Sequence, residues 1–178
     1  AGLFIFFGVH LIPLINKLKL YLKGKLGENF YIGLFSMISL VGFLLIILGY
    51  ESLSNSLYKP NNSVNFYSKY IMFVSFALLI ASNFPTYTKS HLKHPMSIAI
   101  IIWSALHLLV NSDKNSVLLF GFFLAYSVCS VVVSELRKSE TKEVVPKAKF
   151  DILSIVLGAV LTSLTYNFHY YFSGVNLG

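Results

Sequence analysis

Apolar residues in this chain arrive in long runs broken by short polar stretches, and the length of the runs sets the reading. Residues 31–50, YIGLFSMISLVGFLLIILGY, contain no charge. A helix crossing a bilayer needs about 17–25 such residues. The same pattern predicts apolar helices over residues 66–84 (ended by Pro85), 94–110, 116–134 and 151–172. Pro95 is tolerated in the first turn of the fourth of these six segments, where its missing N–H has no partner anyway. The first apolar segment, 2–14, is short for a span, which suggests that a few residues precede Ala1. It has neither the basic start nor the small-residue cleavage site of a signal peptide, so it reads as a retained helix.

The polar stretches are equally informative. In LINKLKLYLKGKLGENF, Leu14, Leu18, Leu22 and Leu26 recur every fourth position among Lys17, Lys19, Lys23 and Lys25. That pattern suits an interfacial amphipathic helix with snorkelling lysines, stopped by Gly27. Residues 51–65 read as a polar loop, TYTKSHLKH as a short connection, NSDKN as a tight turn capping the next helix, and ELRKSETKEVVPKAKF as a segment outside the membrane. The expected fold is all-α: one integral membrane domain over 1–178, a bundle of six transmembrane helices with a short interfacial amphipathic helix after the first. No internal repeat is visible.

Charge orients the bundle. The connections after spans one, three and five carry Lys17, Lys19, Lys23, Lys25, Lys89, Lys93, Arg137, Lys138, Lys142, Lys147 and Lys149. The other side carries Lys59, Lys69 and Lys114. Basic loops stay in the cytoplasm, so these three connections are expected inside and both termini outside, in a bacterial inner membrane or an equivalent organelle membrane. Only 12% of residues are charged and 56% are apolar, against about 25% charged in soluble domains. The net charge of +7 is therefore read as membrane orientation, with the lipid bilayer as partner and no nucleic acid.

The chemistry available is narrow. Cys129 stands alone inside an apolar run, which excludes an intrachain disulfide and reads as a packed, inert thiol. The acids, Glu28, Glu51, Asp113, Glu135, Glu140, Glu143 and Asp151, fall in loops or at helix ends. That argues against a proton-relay pump, an intramembrane aspartyl protease or a carboxylate-bridged di-iron site.

Histidines remain: His10, His91, His94, His107 and His169. Neutral imidazole can ligate iron without adding a charge that the bilayer must bury. Axial nitrogens on one iron lie about 4 Å apart. By the helical rise, His10 lies about 5–9 Å from the cytoplasmic end of its helix, a depth similar to that of His94, while His107 is about 20 Å from that end. His10 and His94 are thus the expected haem ligands, with Lys17, Lys89 and Lys93 at the same level as partners for propionates. The competing reading is a pair of interfacial histidines bonded to carbonyls. His107 and His169 share the outer half and could meet. For His107 a hydrogen-bonded core residue competes with a second-haem ligand or an active-site polar group. His169, among Tyr166, Tyr170 and Tyr171, reads as interfacial. Trp103, four residues before His107, shares its helix face, as packing or as a porphyrin contact. Zinc through His91 and His94 lacks evident further ligands.

The motifs GVHLIP, LGENFYIGLFSMISL, LKHPM and WSALHLLVNSDKNSVLLFG together resemble the NnrU family, over about residues 2–135. These are bacterial inner-membrane proteins linked to denitrification and nitrogen-oxide metabolism, related to the haem b enzyme zeta-carotene isomerase. The resemblance implies haem b, held by the histidine of the first motif and that of an R-H-P motif, here His10 and His94. Lys93 replaces the usual arginine and lacks its bidentate fork. His91 falls where the isomerase can carry an exchangeable ligand. Three functions are then in view: a haem b protein with a redox or nitrogen-oxide role and a redox partner, a haem-dependent polyene isomerase, or a small structural subunit of a larger membrane complex.

Overall fold

The computed structural model describes residues 1–50, 55–137 and 145–174. Among them the chain is helical, apart from an isolated β-bridge between Ser56 and Asp113. Internal contacts divide it into two compact units, Ala1–Glu51 and Ser52–Gly178.

The first unit holds α1 (Gly2–Leu14), α2 (Asn16–Leu26) and α3 (Glu28–Leu48). Pro13 sits in the last turn of α1, and the chain bends by 96° into α2. Gly27, at φ 81°, ends α2 as the lysine-rich pattern predicts. That backbone region suits glycine because it has no Cβ to clash. No residue of α2 is buried, and Lys23 pairs with Glu28 at 2.6 Å. α1 packs directly on α3, and two glycines allow the approach. A Cβ on Gly2 would lie 2.7 Å from the Ile46 nitrogen, and one on Gly42 would lie 2.7 Å from the Phe6 nitrogen.

The second unit opens with a 3-10 turn (Asn62–Tyr67), followed by α4 (Ser68–Ala81), α5 (Tyr87–Leu92), α6 (Pro95–Val110), α7 (Lys114–Leu136) and α8 (Ala148–Ser173). α4 lies between α8 and α6, and α6 packs on α7. The buried residues of this unit are mostly small: Ala81, Ala99, Ser75, Ser104, Ser116, Ser127 and Ser154. Large apolar side chains point outward instead, as with Leu118, Val132, Ile152 and Val160. Such an arrangement suits a lipid solvent, where close helix contact rests on small residues and hydroxyl–carbonyl bonds. Ser75 supplies one such bond, donating from α4 to the Ala99 carbonyl of α6 at 2.8 Å.

Among the described residues, four helices are long and apolar enough to cross a membrane, and five if α1 and α2 form one broken span. α6 is apolar but only 16 residues long. The third apolar segment ends at Ala81, before Pro85. Ser82 Oγ and Asn83 Nδ2 both donate to the Leu79 carbonyl, at 2.6 and 2.9 Å, and compete with the ladder there. The expected connection TYTKSHLKH contains α5, whose N-cap Thr86 accepts from the Lys89 N–H at 3.0 Å. Asp151 on α8 accepts from Tyr87 N, Thr88 N and Thr88 Oγ1 at 2.9, 3.0 and 2.8 Å, and so ties α5 to α8. Cys129 is exposed on α7 rather than packed. Residues 138–144, within the charged segment after α7, lie outside the described residues.

Candidate functional site

His10 stands on α1, half-buried. Its Nδ1 lies 2.7 Å from the Phe6 carbonyl. A carbonyl only accepts, so Nδ1 carries the proton and the neutral ring presents its lone pair at Nε2. The ring stacks on Phe6 (centroids 4.1 Å apart) and meets Phe35 of α3 at 5.2 Å. Phe35 in turn neighbours Tyr31, 6.3 Å away. The hydroxyls of Tyr31 and Ser39 are buried in this unit with no hydrogen-bond partner. Leaving one such group unmade costs about 1–3 kcal/mol. Lys17, in the first turn of α2, is exposed.

His94 belongs to the second unit and is the N-cap of α6, with buried Pro95 as the first helical residue. Just before it the backbone folds into a γ-turn: Lys93 has φ 51° and ψ −48°, and the His94 N–H donates to the Leu92 carbonyl. This conformation is strained for any residue with a Cβ. The turn aims His94 at α7, where its Nε2 lies 2.9 Å from Glu135 Oε1. Lys93 Nζ lies 3.5 Å from the other oxygen of the same carboxylate. With Nε2–H donated to Glu135, Nδ1 holds the lone pair of the neutral ring. His91, one turn earlier on α5, turns its Nδ1 to the Tyr87 carbonyl at 2.8 Å.

A cavity of about 360 Å³ opens in the second unit, between α4, α6 and α8. His107 and His169 both line it, as the equal depth expected for them suggested, together with Trp103, Phe76, Met72 and Lys69. His107 Nδ1 lies 2.8 Å from the Trp103 carbonyl. Behind it, Phe120 of α7 packs against His107 at 4.4 Å and against Trp103 at 5.0 Å. Trp103 and His107 do share a face. His107 is 13 positions beyond His94, so the cavity lies about 20 Å along the α6 axis from that residue.

Of the expected site residues, His10 and Lys17 belong to the first unit; within the second, Lys93 and His94 stand at the α5–α6 corner, and Trp103 and His107 at the cavity. Among the described residues no group of three or more His, Cys, Asp or Glu side chains is placed to hold a metal ion. Sequence reasoning missed two contributors. Glu135 was available, because the end of the fifth apolar segment and the start of the fourth lie on one side of an alternating bundle. His169 is more than an interfacial residue, since it faces the same cavity as His107.

No curated protein and no solved structure matches this chain. A family description, NnrU protein, matches residues 1–177, nearly the full length and both units. The chain belongs to the NnrU family.

Proposed function

We propose that this protein is an integral membrane haem b protein with a redox role in nitrogen-oxide metabolism, and that His10 and His94 are the residues that would hold the haem. The observation that carries the reading is the setting of His10. Its Nδ1 is committed to the Phe6 carbonyl, its ring is held between Phe6 and Phe35, and its lone-pair nitrogen is Nε2. Metal-binding histidines are oriented by such bonds from the second ring nitrogen. The unpartnered Tyr31 and Ser39 hydroxyls in the same unit fit a polar or charged group supplied by a ligand.

His94 fits the same chemistry by another route. Glu135 accepts its Nε2 proton, as in carboxylate–histidine–metal arrangements, which raises the basicity of Nδ1. Lys93, and Lys17 on its own unit, supply the cations that propionates require. Held by these two imidazoles, haem b would supply one-electron chemistry rather than substrate binding. The reading also keeps the α5–α6 corner on the cytoplasmic side, six spans in all, and a single domain.

The polyene-isomerase alternative needs a long apolar cleft running to the iron. The cavity between α4, α6 and α8 lies at the opposite end of α6 from His94, which favours the electron-transfer reading. Visible spectra of the purified protein test it. Sharp reduced α and β bands without carbon monoxide binding are expected. Carbon monoxide binding, or a ligand change on reduction, favours the isomerase. Absence of haem leaves the structural-subunit reading.

A further inference from the structure

The cavity near His107 has a chemistry of its own, independent of any haem at His94. Its deep wall is apolar: Phe76 lies eight residues into α4 and Trp103 seven residues from the end of α6, about 10–12 Å from the helix ends. Two polar groups stand nearer those ends, Lys69 in the first turn of α4 and His107 in the last turn of α6. A volume of about 360 Å³ falls in the range of small-molecule sites, about 300–1,000 Å³.

Lys69 and His107 decide which molecule fits. His107 gives its Nδ1 proton to the Trp103 carbonyl, so the neutral ring keeps a lone pair at Nε2. Among the described residues that nitrogen meets no donor. Lys69 is exposed, with its Nζ 5.1 Å from the centre of the Tyr70 ring. Among the described residues no carboxylate pairs with it. The cavity therefore suits a ligand with one proton to give, one negative charge and an apolar body. A carboxylic acid meets all three conditions. Protonated, it donates to Nε2; ionised, with its proton passed to Nε2, it accepts from that N–H and faces the ammonium of Lys69. A phosphate monoester would bring about two negative charges to one lysine. A neutral alcohol would use His107 and leave Lys69 aside. A metal ion would find no group of three His, Cys, Asp or Glu side chains among the described residues.

We propose that this cavity binds an unbranched medium-chain fatty acid, with its carboxyl group between Nε2 of His107 and Nζ of Lys69 and its chain running inward to Trp103 and Phe76. The lining residues of α4 include 69, 72 and 76, and those of α6 include 103, 106 and 110. Such three- and four-residue steps keep each set on one helix face, so the cavity is a slot along the helix axes. Met72 and Leu106 give its middle an apolar wall between the carboxyl end and the aromatic end. Neither the site nor this ligand class depends on haem being bound at His10 and His94.

Trp103 is the single tryptophan of the chain, so its fluorescence reports on this cavity. Bromine at the far end of a bound chain quenches an indole that it touches. The test titrates the purified protein in zwitterionic lipid nanodiscs with ω-bromooctanoic acid and with its methyl ester. The ester keeps the chain and the bromine, lacks both the proton and the charge, and enters lipid more readily than the acid. Saturable quenching by the acid is expected, with the ester weaker by about tenfold; quenching through the bilayer would rank them in the opposite order. His107→Phe is expected to weaken binding of the acid by about tenfold, and Lys69→Gln, at the exposed end, by about two- to fivefold. Quenching that never saturates, an ester that binds as tightly as the acid, or unchanged affinity in His107→Phe overturns the proposal. So does a Soret band that disappears in His107→Phe, which would place iron in the cavity. If His107→Phe fails to fold, the comparison of acid and ester on the unaltered protein decides.

Discussion

Gly42 and Gly33 lie on the same helix, α3, yet alanine should act on them in opposite directions. A Cβ at Gly42 would sit 2.7 Å from the Phe6 nitrogen, 2.9 Å from its Cα and 3.0 Å from its Cβ. Favourable carbon contacts lie at about 3.5–4.0 Å, so α1 would have to retreat by roughly 0.5–1 Å, and two of the obstructing atoms are backbone. Overpacking of this kind costs about 1–3 kcal/mol. At Gly33 nothing lies within 4 Å of the added methyl, leaving only the helical gain of alanine over glycine, about 0.5–1 kcal/mol. That gain is common to both variants, so the difference between them isolates the steric term: Gly33→Ala should exceed Gly42→Ala in stability by about 1–3 kcal/mol. Thermal unfolding of both variants in identical micelles measures it. Because Phe6 supplies the carbonyl that fixes His10, Gly42→Ala should also retain less haem. Equal melting temperatures for the two variants would refute the close α1–α3 crossing.

Three further expectations concern other elements. Asp151→Asn should lower stability by about 2 kcal/mol, because a carboxylate holding three donors from α5 loses its charge; a melt identical to the parent protein contradicts this. Tyr58 donates to the Leu108 and Asn111 carbonyls at the end of α6, so Tyr58→Phe should cost about 1 kcal/mol. Burial first, and then the charge of Asp113, raise the Tyr58 phenol above its ordinary value. The folded state thus favours the protonated phenol. Its contribution is complete below the unfolded pKa of about 10 and fades as pH rises past the folded one. The melting difference between parent and variant should accordingly be level from about pH 7 to 9 and narrow above about 10. Glu135→Gln should weaken haem binding about 10–100-fold, as measured by haem titration, and an unchanged affinity would remove Glu135 from the site.

How far the sequence could be read differed from element to element, for physical reasons. α3 and α8 announce themselves because lipid solvation demands unbroken apolar length. The start of α6 is visible in Pro95, and the stop of α2 in Gly27. α5 escaped, since six residues are too few for periodicity and the helix depends on Asp151, 64 positions from Tyr87. The γ-turn at Lys93 carries no glycine to mark it; tertiary contact holds the strain. The equal depth of His107 and His169 follows from counting residues, but the cavity between them depends on how α4, α6 and α8 pack. Cys129 misled because an apolar run in a membrane protein can face lipid as readily as protein.

Haem quantification on purified variants reaches the central claim most directly. Bound haem b should be present in the parent protein, absent in His94→Ala and His10→Ala, and retained in His169→Ala. Equal haem content in His94→Ala and His169→Ala would contradict the account.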